Sequence, residues 1–331
     1  MNYSSTKNYG FLSLCYHYIR NDNNDPFPRI LGTKISEFEK QIKMLKENFE
    51  IISLKDTSEF YSEKFEFYNN HGMLITFDDG LSDHYKAAKI LFDNNIKSIF
   101  FVPTCILKDE TPANPMIIHY SLAIHGIQNF LDSLQNSLKF FGLSTNEFKI
   151  IFNKNNDNVW NKISEIKSFF KYKLNYKISR QILLHIYQTL LLPDFPDLLT
   201  KIHLQKEQIK DMIEMGHTIG THTHTHISVG AANLPNDDFY NEIIYPKHYL
   251  ENEFNIPVTS FSYPFGQQND VLSSNNLLKK TKEFQLAFTV EEILNNDSSS
   301  NLEIGRYQPK STETILSLKK TLFDIIKKSE L

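Results

Sequence analysis

GMLITFDDG, at residues 72–80, joins an uninterrupted apolar run to two adjacent carboxylates and a glycine. A short continuous apolar run of this kind is typical of a strand that is buried on both faces of a parallel sheet. Asp78 and Asp79 then stand at the carboxyl end of that strand, and Gly80 lets the backbone turn sharply after them. Because α/β barrels carry their functional residues at the carboxyl ends of their strands, the stretch favours a fold of that class.

The sequence on both sides of this stretch alternates between strand and helix patterns. Short apolar runs predict further strands at residues 11–19, 50–53, 98–102, 217–220, 258–263 and 285–290. Amphipathic spacing predicts helices at residues 36–49, with Ser36 as N-cap, and at residues 85–94, 205–215, 239–253 and 312–328. Residues 108–204 show helical patterns without strands between them. We therefore expect a single α/β domain over residues 1–331, with a large helical insertion at about residues 108–204.

Composition narrows the possible partners of the chain. The 331 residues are 40% hydrophobic and 22% charged, which is typical of a globular protein. The formal net charge of -4 and the pI of about 6.3 provide no basic field, so we expect no nucleic-acid partner. Cys15 and Cys105 lie far apart in the sequence and form no metal-binding or redox pair, so each is interpreted as a small buried apolar residue.

The beginning of the sequence lacks the pattern of a secretion signal. Residues 1–10 are polar, and the apolar run at residues 11–19 includes His17 and has neither a positive start nor a small-residue cleavage site. No run reaches the roughly 18 apolar residues that span a bilayer. These features predict a soluble, cytoplasmic protein without a transmembrane segment.

THTHTH, at residues 221–226, places three imidazoles at alternate positions. His222 and His226 share a face in either an extended or a helical segment, whereas His224 need not join them. Two neutral imidazoles and a carboxylate form the ligand set that catalytic rather than structural zinc usually takes. The adjacent carboxylates at Asp78 and Asp79 repel each other unless a cation draws them together. The two stretches together predict a divalent metal site.

These motifs carry a family resemblance. TFDDG at residues 76–80 and GHTIGTHTHTH at residues 216–226 resemble the first two motifs of the NodB-type polysaccharide deacetylases, carbohydrate esterase family four. SFSYPFG at residues 260–266 resembles the third motif, and LAFTV at residues 286–290 is similar to the strand that follows it. The resemblance covers most of the chain except the helical insertion, and it implies a distorted (β/α) barrel of the deacetylase type.

The resemblance also implies roles for individual residues. Asp79, His222 and His226 would hold the metal, while Asp78 would be the general base that activates water. The backbone N–H of Phe265 would stabilise the oxyanion of the tetrahedral intermediate. Tyr263, Pro264 and Phe265 are expected to form the substrate-binding wall, because an aromatic surface suits the face of a sugar.

Two departures from the common family pattern concern the general acid and an arginine. Many members supply an acid histidine near the C-terminus, whereas this sequence has no histidine after His248. LCYHY at residues 14–18 resembles the missing motif moved to the N-terminus, as in the branch that includes biofilm-polysaccharide deacetylases, and implies that His17 is the acid. Ser262 stands where many members have an arginine that orients the catalytic aspartate. Arg306 is the candidate to supply that charge from another strand, and a surface arginine is the alternative.

The predicted function is therefore hydrolysis of the N-acetyl group of an amino sugar or polysaccharide, which breaks a carbon–nitrogen bond that is not a peptide bond. The predicted cofactor is a divalent metal, with Zn²⁺ the expected ion, and the predicted partner is an N-acetylated carbohydrate. Two alternatives stay open. One is deacetylation or deformylation of a lipid-linked or nucleotide-linked sugar in surface-glycan biosynthesis, and the other is a catalytically silent carbohydrate-binding relative.

Overall fold

A computed structural model describes residues 9–67, 70–144 and 158–329 of the chain, except for the side chains of residues 272–277. Its strands are β1 Phe11–Tyr16, β2 Ile19–Arg20, β3 Thr33–Lys34, β4 Glu50–Ile52, β5 Gly72–Phe77, β6 Ile99–Val102, β7 Thr218–Thr221, β8 Ser260–Ser262 and β9 Leu286–Phe288.

The α-helices in the same ranges, in chain order, are α1 Ile35–Asn48, α2 Leu54–Tyr61, α3 Asp83–Asp93, α4 Cys105–Lys108, α5 Asn114–Phe140, α6 Val159–Ser168, α7 Tyr176–Ile186, α8 Leu198–Ile202, α9 Lys206–Glu214, α10 Val229–Ala232, α11 Asn236–Phe239, α12 Tyr245–Phe254, α13 Gln268–Thr281 and α14 Ile315–Ser329. Three π-helical turns follow α6, α7 and α11, at Phe169–Lys173, Tyr187–Leu191 and Tyr240–Ile244.

Seven of the strands form one parallel sheet. Its order is β1-β5-β6-β7-β8-β9, and β4 pairs with the first half of β5. All six residues of β1 and all six residues of β5 are buried, as continuous apolar runs on a doubly covered sheet should be. The predicted distorted (β/α) barrel is confirmed, and the carboxyl ends of all seven strands face one end of it.

The segment at residues 304–307 connects the two edges of this sheet. Ile304 forms a parallel bridge to Phe288 in β9, and Tyr307 forms a parallel bridge to Leu14 in β1. Backbone hydrogen bonds of 2.8 Å from Thr289 to Ile304 and from Tyr307 to Ser13 hold it on both sides. The segment therefore closes the curled sheet, which places the residues between its two bridges beside both the first and the last strand.

The chain between β6 and β7 is mainly helical. Helix α5 bends at Gly126, where φ of 80° and ψ of 171° leave the helical region, and it packs against α7 and the π-helical turn Tyr187–Leu191. This segment covers most of the expected insertion, although residues 145–157 of that expectation lie outside the described residues. None of the helices in the described ranges is both long and apolar enough to cross a lipid bilayer.

Several local predictions were wrong. The N-cap of α1 is Lys34, and Ser36 lies in the first turn, where it contacts Asp22. The apolar run at residues 11–19 is interrupted after Tyr16, so His17 follows a strand instead of lying within one. Helices α2 and α13 were not predicted. Helix α2 is only eight residues long, and α13 is largely polar, so neither shows a wide apolar stripe.

Candidate active site

The carboxyl ends of three parallel strands bring the candidate residues together. His17 follows β1, Asp78 and Asp79 follow β5, and His222 follows β7. Tyr16 and Phe77 are partners in the β1–β5 register, so His17 and Asp78 leave the sheet side by side. Asp78, Asp79 and His222 are almost fully buried, whereas the His17 side chain is 32% exposed.

Asp79, His222 and His226 form a compact triad. The Nε2 atoms of His226 and His222 lie 2.9 Å and 3.4 Å from Oδ1 of Asp79. This Oδ1 is nevertheless a buried oxygen that accepts no hydrogen bond from the described residues. Three ligand atoms that converge without hydrogen-bonding one another fit a shared cation, and two imidazoles with one carboxylate suit zinc.

A hydrogen bond on the side of the ring away from Asp79 sets the orientation of the His222 imidazole. Its Nδ1 lies 2.9 Å from the carbonyl oxygen of Ser262 in β8, which can only accept, so Nδ1 carries the proton and Nε2 presents its lone pair to Asp79. A hydrogen bond of this type sets both the tautomer and the ring plane of a metal-binding histidine. Ser262 was noted in the sequence only because it stands where many family members have an arginine. In the structure it contributes to the site through its backbone carbonyl.

Arg306 holds Asp78 by a two-pronged ion pair. Its Nη1 donates to Oδ1 of Asp78 at 2.8 Å and its Nη2 donates to Oδ2 at 2.7 Å. The Ser262 hydroxyl accepts from the same Nη2 at 2.8 Å and donates to Oδ2 of Asp78 at 3.0 Å. Arg306 itself is fully buried and lies in the segment that closes the sheet. It is not the surface arginine that the sequence left as an alternative.

This clamp determines the charge of Asp78. Burial by itself would raise the pKa of the carboxyl, but the positive charge and hydrogen bonds of Arg306 outweigh burial and hold the pKa well below its ordinary value. Asp78 is therefore ionised throughout the neutral range, with both oxygens fixed in direction. An ionised, oriented carboxylate beside the triad is a suitable proton acceptor.

Backbone strain concentrates at the same place. Asp79, Thr223, His226 and Phe265 have φ between 59° and 80°, in the left-handed region that side-chain-bearing residues rarely adopt. Such conformations persist only where surrounding contacts enforce them, and they are common at functional sites. Residue type did not predict this strain, since none of the four is a glycine or an asparagine.

A buried glutamate shapes the histidine loop. Oε2 of Glu242, in the π-helical turn Tyr240–Ile244, accepts from the backbone N–H groups of His224 and Thr225 at 3.2 and 2.9 Å. Its Oε1 accepts from the Thr225 hydroxyl at 2.7 Å. Residues 222–226 are consequently neither strand nor helix but a tight loop, in which His222 and His226 converge. Glu242 was not predicted as a site residue, because the residues next to it in the sequence do not indicate that it is buried.

Comparisons with known proteins agree with this geometry. Residues 187–285 match the family model for polysaccharide deacetylase. The matched stretch includes His222 and His226, whereas Asp78 and Asp79 lie outside it. This stretch of the chain is similar to the polysaccharide deacetylases. No curated protein sequence is significantly similar to it.

Solved structures share the fold of this chain over nearly its whole length. The Streptococcus pyogenes deacetylase PplD is 15% identical with a TM-score of 0.58, and the match covers 95% of this chain and 98% of that one. IcaB from Ammonifex degensii is 15% identical with a TM-score of 0.55, covering 95% and 97%. The putative polysaccharide deacetylase BA0330 from Bacillus anthracis is also 15% identical, with a TM-score of 0.55, covering 95% and 69%.

His17 lies at the edge of the triad of Asp79, His222 and His226. Its Nε2 lies 3.9 Å from Oδ2 of Asp79, and its Nδ1 lies 3.9 Å from Sγ of Cys15. Burial lowers the pKa of His84 to about 4, so His84 is neutral, and its Nε2 donates to the His17 carbonyl at 2.8 Å. Cys15 is buried, as expected, and its sulfur lies between His17 and Asp78.

His224 points away from the triad. Its Nδ1 lies 2.8 Å from the Thr104 hydroxyl, and its Nε2 lies 2.8 Å from Oδ2 of Asp109. Both ring nitrogens are therefore engaged on the side of the loop opposite to Asp79. His224 ties the histidine loop to the segment after β6.

A cavity of about 400 Å³ opens beside the triad, and Asp79, His17, His226 and Phe265 line it. Its volume is in the usual range for a small-molecule site. The Phe265 ring meets the His226 ring edge-on at 4.9 Å between centroids. Within the described ranges the Phe265 N–H donates to no other group.

The expected placement of Tyr263 and Pro264 on this wall was wrong. Tyr263 is fully buried and packs edge-on against Phe261 at 4.9 Å between centroids, within a separate apolar cluster behind the sheet. Pro264 is buried as well, and neither residue lines the cavity. The chain turns after β8, so of the three expected residues only Phe265 reaches the cavity.

Proposed function

We propose that this chain is a metal-dependent hydrolase that removes N-acetyl groups from an amino sugar or a polysaccharide. The observation that carries the proposal is the triad of Asp79, His222 and His226 beside the clamped carboxylate of Asp78 at the wall of an open cavity. A family match to polysaccharide deacetylases favours this chemistry over other metal-assisted hydrolyses. Fold likeness at 15% identity contributes the architecture only.

Asp79, His222 and His226 would hold the ion, and zinc is the expected one because two imidazoles and a carboxylate are the ligand set of catalytic zinc and would leave one position open for water or substrate. A bound divalent cation supplies Lewis acidity, which lowers the pKa of water and polarises an amide carbonyl. The orphaned Oδ1 of Asp79 and the fixed tautomer of His222 support this assignment.

The residues of the chain would divide the proton transfers between them. Asp78 accepts a proton from the attacking water as the new carbon–oxygen bond forms, and Arg306 with Ser262 keeps its oxygens aimed. His17 donates a proton to the amide nitrogen as the carbon–nitrogen bond breaks. The products are a free amine on the sugar and acetate. The exposure of His17 to the cavity and its 3.9 Å distance from Asp79 support this role.

The backbone N–H of Phe265 is the proposed donor to the developing oxyanion. Its lack of any acceptor in the described part of the chain and the enforced left-handed φ of 65° support this role. A pre-oriented donor of this kind needs no rearrangement during the reaction, and removal of such a donor typically slows catalysis about 100- to 1,000-fold.

Acetate release from N-acetylated sugars and oligosaccharides tests the proposal. Zinc-loaded wild type should release acetate, Asp78→Asn should lose at least about 100-fold of the rate while retaining zinc, and His224→Ala should retain zinc because His224 faces away from the triad. Release that is equally fast in Asp78→Asn would contradict the base assignment. Zinc binding without hydrolysis of any N-acyl sugar would instead favour a carbohydrate-binding relative.

A further inference from the structure

Two lysines project from the helical segment into the cavity of the triad. Lys167 lies near the end of α6, and Lys171 lies four residues later in the π-helical turn Phe169–Lys173. Both line the same cavity as Asp79 and His17. Among the described residues that line it, Asp79 is the one carboxylate, and its charge faces His222 and His226. The wall that the helical segment contributes to the cavity therefore carries positive charge.

The two lysines differ in how their charges are balanced. Lys171 Nζ lies 2.9 Å from Oδ2 of buried Asp270 and 4.1 Å from the centre of the Phe265 ring, so its charge is compensated within the fold. Lys167 forms no ion pair with any carboxylate in residues 9–67, 70–144 and 158–329. Of the two lysines that line the cavity, Lys167 is therefore the one whose positive charge is not paired with a carboxylate of the described residues.

The surroundings of Lys167 strengthen its attraction for an anion. Its side chain as a whole is exposed, but the cavity walls strip part of the hydration from the ammonium and lower its pKa, while the charge of Asp79 acts in the opposite direction. Partial desolvation makes a charge pair worth more than it is at an open surface. The net charge of -4 excludes a general basic surface as the reason for a cation here.

We propose that Lys167 binds a phosphate or carboxylate group of the substrate, so that the enzyme acts on an anionic N-acetylated sugar in preference to a neutral one. The inference rests on the proposed N-deacetylase function for the identity of the sugar. The lysine ammonium is a compact point charge, so it can bind either a phosphate or a carboxylate. It does not require the planar, two-pronged geometry of an arginine contact. A cavity of about 400 Å³ has room for a sugar together with its charged substituent.

Calorimetric binding tests this inference without depending on turnover. The probes are N-acetylglucosamine 1-phosphate, a disaccharide of glucuronate and N-acetylglucosamine, and the neutral disaccharide of N-acetylglucosamine. Each is titrated into wild type, Lys167→Gln and Lys173→Gln. Lys173 is a matched control, because it is exposed on the same segment but does not line the cavity.

Wild type should bind one of the anionic probes about tenfold more tightly than the neutral disaccharide, and the preferred probe identifies the anion as phosphate or carboxylate. Lys167→Gln should abolish that preference, whereas Lys173→Gln should preserve it. Equal affinity for all three probes, no binding of either anionic probe, or an equal loss in both variants would overturn the inference. Acetate release is measured in parallel, so a selective anion site without hydrolysis contradicts the proposed function and not the anion site.

Discussion

Replacement of Arg306 by methionine removes the guanidinium that forms the two-pronged ion pair with Asp78. Methionine has a similar volume, so the packing changes little. It has no N–H groups, so the change deletes the five hydrogen bonds that Arg306 donates to Thr289, Thr76, Ser262 and both oxygens of Asp78. It leaves a carboxylate that is about 2% exposed without its charge partner. Breaking a buried ion pair in this way costs about 3–5 kcal/mol.

The cost is measurable by thermal unfolding. A chain of 331 residues has an unfolding entropy of about 0.7 kcal/mol/K near its melting temperature, so Arg306→Met should lower that temperature by about 4–7 °C. Exposed Arg29 provides the control, and Arg29→Met should shift the melting temperature by less than about 1 °C.

A double variant separates charge from packing. If the unpaired carboxylate causes the loss, Arg306→Met combined with Asp78→Asn should recover about 1–3 kcal/mol relative to Arg306→Met alone. A loss of less than about 1 kcal/mol in the free energy of unfolding of Arg306→Met, as for a solvent-exposed ion pair, would contradict a buried, fully formed pair. A double variant that is no more stable than Arg306→Met would contradict the unpaired carboxylate as the cause of the loss.

Three further changes probe other parts of the site. Glu242→Gln should loosen the histidine loop and weaken zinc binding about tenfold, measured by competition with a chromophoric chelator. His226→Ala should lose the bound zinc, whereas His224→Ala should keep one equivalent by elemental analysis, since only the first faces Asp79. Gly220→Ala should cost about 1–3 kcal/mol in urea unfolding, because its Cβ would lie 2.5 Å from the Phe101 ring inside the sheet.

Much of the barrel can be read from sequence because its strands are short apolar runs with clear ends. The runs at β1 and β5 are buried throughout, and the residues that follow them emerge together because parallel strands share one functional end. The pairing of His222 with His226 was predicted from their spacing, although the loop in which they converge is neither strand nor helix. These predictions depend on local pattern and on one property of parallel sheets.

The remaining features depend on contacts between distant parts of the chain. Arg306 reaches Asp78 because an irregular segment bridges the first and last strands, and the two residues are 228 positions apart. Glu242 is buried because its helix packs over a loop whose shape it helps to set. Tyr263 was expected in the cavity because aromatic residues suit sugars, but the turn after β8 directs it into the apolar cluster. Such outcomes need the tertiary structure.

The zinc dependence of acetate release shows whether hydrolysis requires a metal at the triad. Wild type is freed of metal with a chelator, supplied with an N-acetylated oligosaccharide, and then titrated with zinc while acetate is measured. We expect no release from the metal-free protein and full restoration at one equivalent of zinc, with no restoration in Asp79→Asn. Undiminished release from the metal-free protein would contradict a metal-dependent reaction at the triad of Asp79, His222 and His226.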